Sequence, residues 1–163
     1  MSKAKAAAIQ LLEAKKIPFE ILRHKTTFTA ADEANTLHVS GAKVLKTVVL
    51  DTGAGHVIAV TPASRKLDIG LVREALADTH AHLAGEIETA RDFPAFELGS
   101  MPPLPSLTKV PVFVDPEIMQ HKEVIFAADH EESVKAKTED LFGGEYVTVT
   151  PLVRHFTEVP TDH

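Results

Sequence analysis

The apolar positions of this chain change period several times, and each change marks an element. Residues 4–16 (AKAAAIQLLEAKK) are strong helix formers with Ala8, Leu11 and Leu12 at helical spacing, and Pro18 ends the run. Residues 18–23 (PFEILR) alternate as a strand does. Thr29, followed by Asp32 and Glu33, has the chemistry of a helix N-terminus. Its hydroxyl can accept from a free amide, and the acids favour the positive end of the dipole. A helix is therefore predicted over 30–38, closed by Ser40-Gly41. Two β-type runs, 44–50 (VLKTVVL) and 56–61 (HVIAVT), flank Asp51–Gly55, a hairpin-turn signal. Helical spacing returns over 68–79 through Leu71, Val72, Ala75 and Leu76, with Asp68 as cap, and a short helix over 86–93 stops at Pro94. A proline-rich loop, GSMPPLP, fills 99–105. Strands are predicted at 111–114 and 123–128, a helix near 131–141 and a last strand at 145–149. Residues 151–163 read as an extended tail.

No internal repeat or linker interrupts this order, so the pattern predicts a single α+β domain over 1–150. Its strands lack regular βαβ alternation. A mixed, partly closed sheet flanked by helices fits better than a doubly wound one.

Composition narrows the class. The 163 residues are 44% hydrophobic and 25% charged, enough for one ordinary core. No run approaches the roughly 18 apolar residues of a membrane helix, and the start lacks a secretory pattern. Without cysteine there is no disulfide, thiolate metal site or cysteine nucleophile, which fits a cytoplasmic protein. The net charge of −6 is uneven: residues 1–75 carry 11 Lys/Arg against 7 Asp/Glu, residues 76–163 only 6 against 16. An acidic chain is a poor general binder of phosphates, yet one basic face drawn from the first half can meet a nucleic acid locally.

Most familiar chemistry is excluded by what is missing. There is no HExxH, and His80 and His82, two apart in a region predicted helical, stand about 200° apart around an axis, so no metal site is expected. Gly53-x-Gly55 lacks the rest of a phosphate-binding pattern, and no serine sits on a G-x-S-x-G elbow. Two features remain. Lys46 shares a strand face with Val44, Val48 and Leu50, where an ammonium group is costly unless its head reaches water, a carboxylate or a ligand. Its stem can lie over the aliphatics while the head reaches solvent, or it can serve a cleft that takes an anionic or carbonyl-bearing ligand. The loop Gly99-Ser-Met-Pro-Pro103 is either a rigid connector or a set of fixed amides aimed at one oxygen. Asp115, after the strand PVFV, either answers Lys46 across the cleft or opens the Asp-Pro turn in which it sits.

Taken in order, these segments resemble the YbaK-type editing domains associated with prolyl-tRNA synthetase, over about residues 5–150. They are a leading helix, His24 in RHKTTFTAADEA, the strand VLKTVVL and AVTPASRKLD. Then follow IETARDFP, the G-x-x-x-P loop Gly99–Pro103, VPVFVD and VIFAADHEESVKAKTEDL. The resemblance implies a stand-alone hydrolase that clears mischarged tRNA by cutting the ester between amino acid and terminal ribose. It needs no cofactor, no protein nucleophile and no membrane. A water attacks with help from the ribose hydroxyl. Lys46 carries over as the residue tied to activity, and Gly99, Ser100, Met101 and Pro103 as the loop that positions the carbonyl. His24, Phe28, Thr47, Asp115 and His130 complete the expected cleft. The partner is the aminoacylated 3′ end of a tRNA. The chain departs from the pattern at Pro105, where the family often has glycine, and at Phe126-Ala-Ala-Asp129-His130, where it usually reads F-x-A-G before its polar residues. The alternative is a non-catalytic module that uses the same cleft for an amino acid, a nucleotide or a tRNA end.

Overall fold

Two sheets share one core. The computed structural model describes residues 6–94, 96, 101–144 and 146–154. The helices are α1 (Ala7–Ala14), α2 (Ala30–Leu37), α3 (Ile69–Leu76), α4 (Glu86–Asp92), α5 (Pro105–Thr108) and α6 (Thr138–Phe142). The strands are β1 (Phe19–Arg23), β2 (Leu45–Thr52), β3 (Gly55–Pro62), β4 (His82–Leu83), β5 (Val112–Val114), β6 (Glu123–Ala127), β7 (Glu132–Lys137) and β8 (Val147–Val149).

The larger sheet runs β4-β2-β3-β5-β8, antiparallel at β4/β2 and β2/β3 and parallel at β3/β5 and β5/β8. The smaller is antiparallel, β1-β7-β6. Among the described residues a single parallel bridge, Val44 to Ile125, joins them. This is the mixed, partly closed architecture the sequence pattern predicts.

Strand periodicity divides the side chains among three apolar clusters. Leu45, Val49, Ile58 and Val60 of the larger sheet meet Val124, Phe126, Val134 and Ala136 of the smaller in the main core, which α1 closes with Ala8, Ile9 and Leu12. On the opposite face of β2 and β3, Leu50, Val57 and Ala59 pack under Val72 of α3. Val44 and Ile125 pack under Ala34 of α2.

The predicted caps form. Thr29 Oγ1 accepts from Asp32 N at 3.1 Å, and Asp68 Oδ1 from Gly70 N and Leu71 N at 2.8 and 3.2 Å. The hairpin turn is confined to Gly53-Ala54, between the paired Thr52 and Gly55, and Gly55 takes φ +121°, which suits glycine.

Three expectations are corrected. The helix near 131–141 is instead strand β7 followed by the short α6. Its residues favour helix locally, but β1 and β6 flank it and pair with it on both edges. His80 and His82 do not share a helix: α3 ends at Leu76, His80 lies in a turn and His82 in β4. The segment read as a tail from 151 begins inside the fold, with Leu152 and Val153 only 1% and 2% exposed. Val153 bridges Leu67, and Asp68 N donates to Leu152 O at 2.8 Å. Residues 155–163 lie outside the described ones.

Candidate functional site

Lys46 is the second residue of β2, paired in register with Thr61. Its face is covered twice: by α2 over Val44, and by α3 over Val48 and Leu50. Lys46 falls between the two covers and is exposed. The head of Lys46 reaches solvent because the apolar cover of the strand has a gap where the lysine stands. Among the described residues it makes no hydrogen bond or ion pair. Opposite it on the same face, the Thr61 hydroxyl is fully buried and has no partner among the described residues. An unsatisfied hydroxyl is rare in a protein interior.

Thr47, the next residue, points to the other face of β2. Its hydroxyl donates to the Met101 carbonyl at 2.6 Å. Met101 and Leu104 are buried in the main core, so this end of the proline-rich segment is anchored. Pro103 is buried as well. Gly99 and Ser100 lie outside the described residues. The family-atypical Pro105 has a local role: it is the first residue of α5, where a fixed φ and a missing N–H suit a helix start.

A second group of expected residues meets on the smaller sheet. His24 N donates to Glu131 O and Thr27 N to His130 O, which ties the 24–28 segment to the β6–β7 turn. The rings of Phe28 and His130 meet edge-on, 4.7 Å apart, with Phe28 61% exposed. Beneath them, His24 Nε2 lies 2.9 Å from Ser133 Oγ, which donates to Glu33 Oε2. The trio has the residue types of a hydrolytic triad but not its order. Ser133 sits in the middle and is fully buried, so it cannot attack a substrate. Burial pushes the Glu33 carboxyl up, against the lowering effects of the Ser133 hydrogen bond and of His24. Glu33 was legible only as a helix-start acid, and Ser133 was hidden in a segment read as helix. The period-2 alternation of Val134 and Ala136 with Lys135 and Lys137 was the signal for the strand that carries it.

Asp115 forms no ion pair with Lys46. Its carboxylate is buried and fully engaged: Oδ1 accepts from Glu117 N at 2.9 Å, and Oδ2 from Leu152 N and Val153 N at 2.8 and 3.1 Å. It fastens the Asp-Pro turn and the C-terminal segment to each other. Asp129 is likewise a turn residue, its Oδ1 accepting from Glu131 N and Glu132 N, both at 2.8 Å.

Positive charge gathers beside these elements. Arg23, His24, Lys25 and His38 line a groove of ≈ 540 Å³ along β1 and α2. Lys43, His121, Lys122 and Lys135 line another of ≈ 500 Å³. The fold therefore builds its basic grooves from both halves of the chain, rather than from the first alone. Lys135 also meets Glu20 at 3.3 Å. Among the described residues, no helix is long and apolar enough to cross a membrane.

Residues 24–142 match the family model described as the aminoacyl-tRNA editing domain. The fold matches a crystal structure of hypothetical protein APE2540, with TM-score 0.81 at 20% identity, over 90% of this chain and 99% of that one. It equally matches that of a "putative trans-editing enzyme for prolyl tRNA synthetase", with TM-score 0.81 at 19% identity, over 95% of this chain and all of the other. No curated protein matches the chain.

Proposed function

The chain belongs to the aminoacyl-tRNA editing domain family, and from that premise we propose that it is a stand-alone deacylase of mischarged tRNA, acting in the cytoplasm. The observation that carries this reading is Lys46: an exposed ammonium, in a gap of an otherwise covered strand face, with no partner of its own among the described residues. A cation kept free of internal partners is available to an anionic ligand, and the 3′ end of a tRNA supplies phosphate and a carbonyl together. The basic grooves along β1, α2 and β6 support contact with the acceptor end.

The reaction is ester hydrolysis. A water oxygen bonds to the aminoacyl carbonyl carbon, the bond from that carbon to the ribose oxygen breaks, and the ribose oxygen takes up a proton. The ribose's other hydroxyl assists the water. Negative charge develops on the carbonyl oxygen, where Lys46 stabilises it. The Thr47–Met101 bond holds the end of the proline-rich segment on the opposite face of β2.

The test is a deacylation assay over a panel of mischarged tRNAs, with Lys46→Ala and Lys46→Arg alongside. We expect Lys46→Ala to lose at least about 100-fold in rate, the scale of one charge-stabilising group, with an unchanged melting temperature because the side chain is exposed. Equal turnover by wild type and Lys46→Ala overturns the role of Lys46. Failure of the wild type to turn over any ester overturns the enzyme reading.

A second reading has its own observation. The exposed Phe28, braced by His130, offers a ring face to a base or an apolar side chain without any chemistry. A non-catalytic module would show a thermal shift with uncharged tRNA or an amino acid that Phe28→Ala removes, and no hydrolysis.

A further inference from the structure

At the far end of the β2–β3 hairpin, three strands and a helix bring together groups that neither the proposed reaction nor the core uses. Asp51 and His56 are direct cross-strand partners, and His82 of β4 is Asp51's partner on its other side. Helix α4 crosses this end with Glu88 and Asp92. One ligand atom each from Asp51, His56 and Glu88 lies within 4.8 Å of the other two. All three side chains are partly buried.

The hydrogen bonding of His56 gives this cluster a direction. Nε2 lies 2.7 Å from Asp92 Oδ2, close to the ring-to-carboxylate distance of a good hydrogen bond. In its neutral form the ring then carries its proton on Nε2 and turns the Nδ1 lone pair inward, although the carboxylates around it also favour a second proton there. Nδ1 is buried and forms no hydrogen bond, although Asp51 Oδ1 is only 2.9 Å away, off the line such a bond needs. In the neutral ring two electron-rich atoms face each other, with the Glu88 carboxylate beside them. Arg91 neutralises the outer carboxylate, with Nε 2.9 Å from Asp92 Oδ1, but reaches Glu88 only at 3.8 Å. A cation between Nδ1, Asp51 and Glu88 resolves the repulsion.

We propose that Asp51, His56 Nδ1 and Glu88 form a divalent transition-metal site of the zinc type, with Asp92 holding the histidine from behind. An imidazole nitrogen with two carboxylates suits Zn²⁺ rather than Mg²⁺ or Ca²⁺, which prefer oxygen alone. A tetrahedral centre with bonds of about 2.1 Å sets its ligand atoms about 3.4 Å apart, so atoms within 4.8 Å of one another close by about 1.4 Å at most, while His56 Nδ1 and Asp51 Oδ1 open slightly from 2.9 Å. Two carboxylates and a neutral imidazole leave a bound Zn²⁺ with no net charge. The carboxylate on the outer ring nitrogen is the arrangement that fixes tautomer and orientation in histidine metal sites. His82, whose Nε2 lies 3.6 Å from Asp51 Oδ2, can supply the fourth ligand, which water otherwise takes. The site would clamp α4 to the hairpin.

The experiment is calorimetric titration of Zn²⁺ into the full chain after treatment with chelator, with Co²⁺ absorption as a second readout. Expected are one ion per chain and a four-coordinate visible Co²⁺ band. His56→Gln and Glu88→Gln each weaken binding by at least about 10-fold, and Asp92→Asn by about 10- to 100-fold although it touches no ion. His121→Gln, in a different groove, leaves affinity unchanged. Glu88 is partly exposed on a surface helix, so Glu88→Gln keeps the test open should His56→Gln fold poorly. No stoichiometric binding overturns the proposal. So does affinity that survives both His56→Gln and Glu88→Gln, which means adventitious binding by other histidines.

Discussion

The hydroxyl of Thr47 holds the carbonyl of Met101 at 2.6 Å, from the face of β2 opposite to Lys46. Adjacent residues of one strand thus serve two surfaces. Lys46 is open to solvent on one side, and Thr47 pins the end of the proline-rich segment on the other. Replacing Thr47 with Val keeps the shape and removes the donor. We expect a stability loss of about 1 kcal/mol, the usual net worth of one such bond. If the loop positions substrate, deacylation falls more than stability implies, and Thr47→Ser restores both. Urea unfolding beside single-turnover deacylation measures the two separately.

Asp115 holds three backbone amides with one carboxylate. Asp115→Ala strands buried donors at Glu117, Leu152 and Val153, and should cost about 2–4 kcal/mol at 1–3 kcal/mol for each group left unpaired, with partial relief by water. Truncation after residue 150 removes two of the same bonds. The double variant should therefore lose much less than the sum of the two single losses. Additive losses in chemical denaturation would show that Asp115 acts elsewhere.

Glu33 is a carboxyl that the fold prefers protonated, since burial raises it from its ordinary value of 4.5. The folded state then binds more protons than the unfolded one in the window above 4.5, so stability falls as pH rises through that window. Glu33→Gln keeps an acceptor for the Ser133 hydroxyl without a charge. It should be more stable than wild type at pH 7, by about 1.4 kcal/mol for every tenfold by which burial weakens the acid. The advantage should vanish below pH 4. Denaturant midpoints of both proteins at pH 4 and pH 7 decide it.

Asp129 departs from the family's usual glycine, and its oxygen closes the β6–β7 turn through two amides. Asp129→Gly should lower stability by about 1–2 kcal/mol through the lost bonds and the freer unfolded chain. Deacylation rates should be unchanged. A large gain in activity would mean instead that the carboxylate obstructs the cleft.

Much of this was legible in the sequence, for local reasons. The caps at Thr29 and Asp68, the Gly53-Ala54 turn and the alternation in β2 and β3 depend on neighbours a few residues away. What escaped depends on distant ones. The segment ESVKAK has the composition of a helix and becomes a strand because β1 and β6 both offer it edges. Periodicity put Lys46 on the correct face, but said nothing of where α2 ends its cover and α3 begins. The Asp51, His56, Glu88 and Asp92 cluster spans two strands and a helix, with no motif spacing to betray it. Asp115 reads in the sequence as a turn residue or as a partner of Lys46; its bonds to Leu152 and Val153 come from a segment too distant along the chain to be foreseen.

The pairing order has a consequence for how the domain is made. Among the described residues β1 pairs only with β7, and the larger sheet ends in β8, whose partner β5 also carries the chain into Asp115. On a ribosome, the first strand must wait for residues near 137, and the Asp115 carboxylate for residues 152 and 153. Neither sheet can be finished from the early chain alone. The protein should therefore leave the exit tunnel largely unfolded and acquire its protease resistance in one late step. Arrested nascent chains ending before and after the Leu152–Val153 pair has emerged would show that step as a sharp change in digestion.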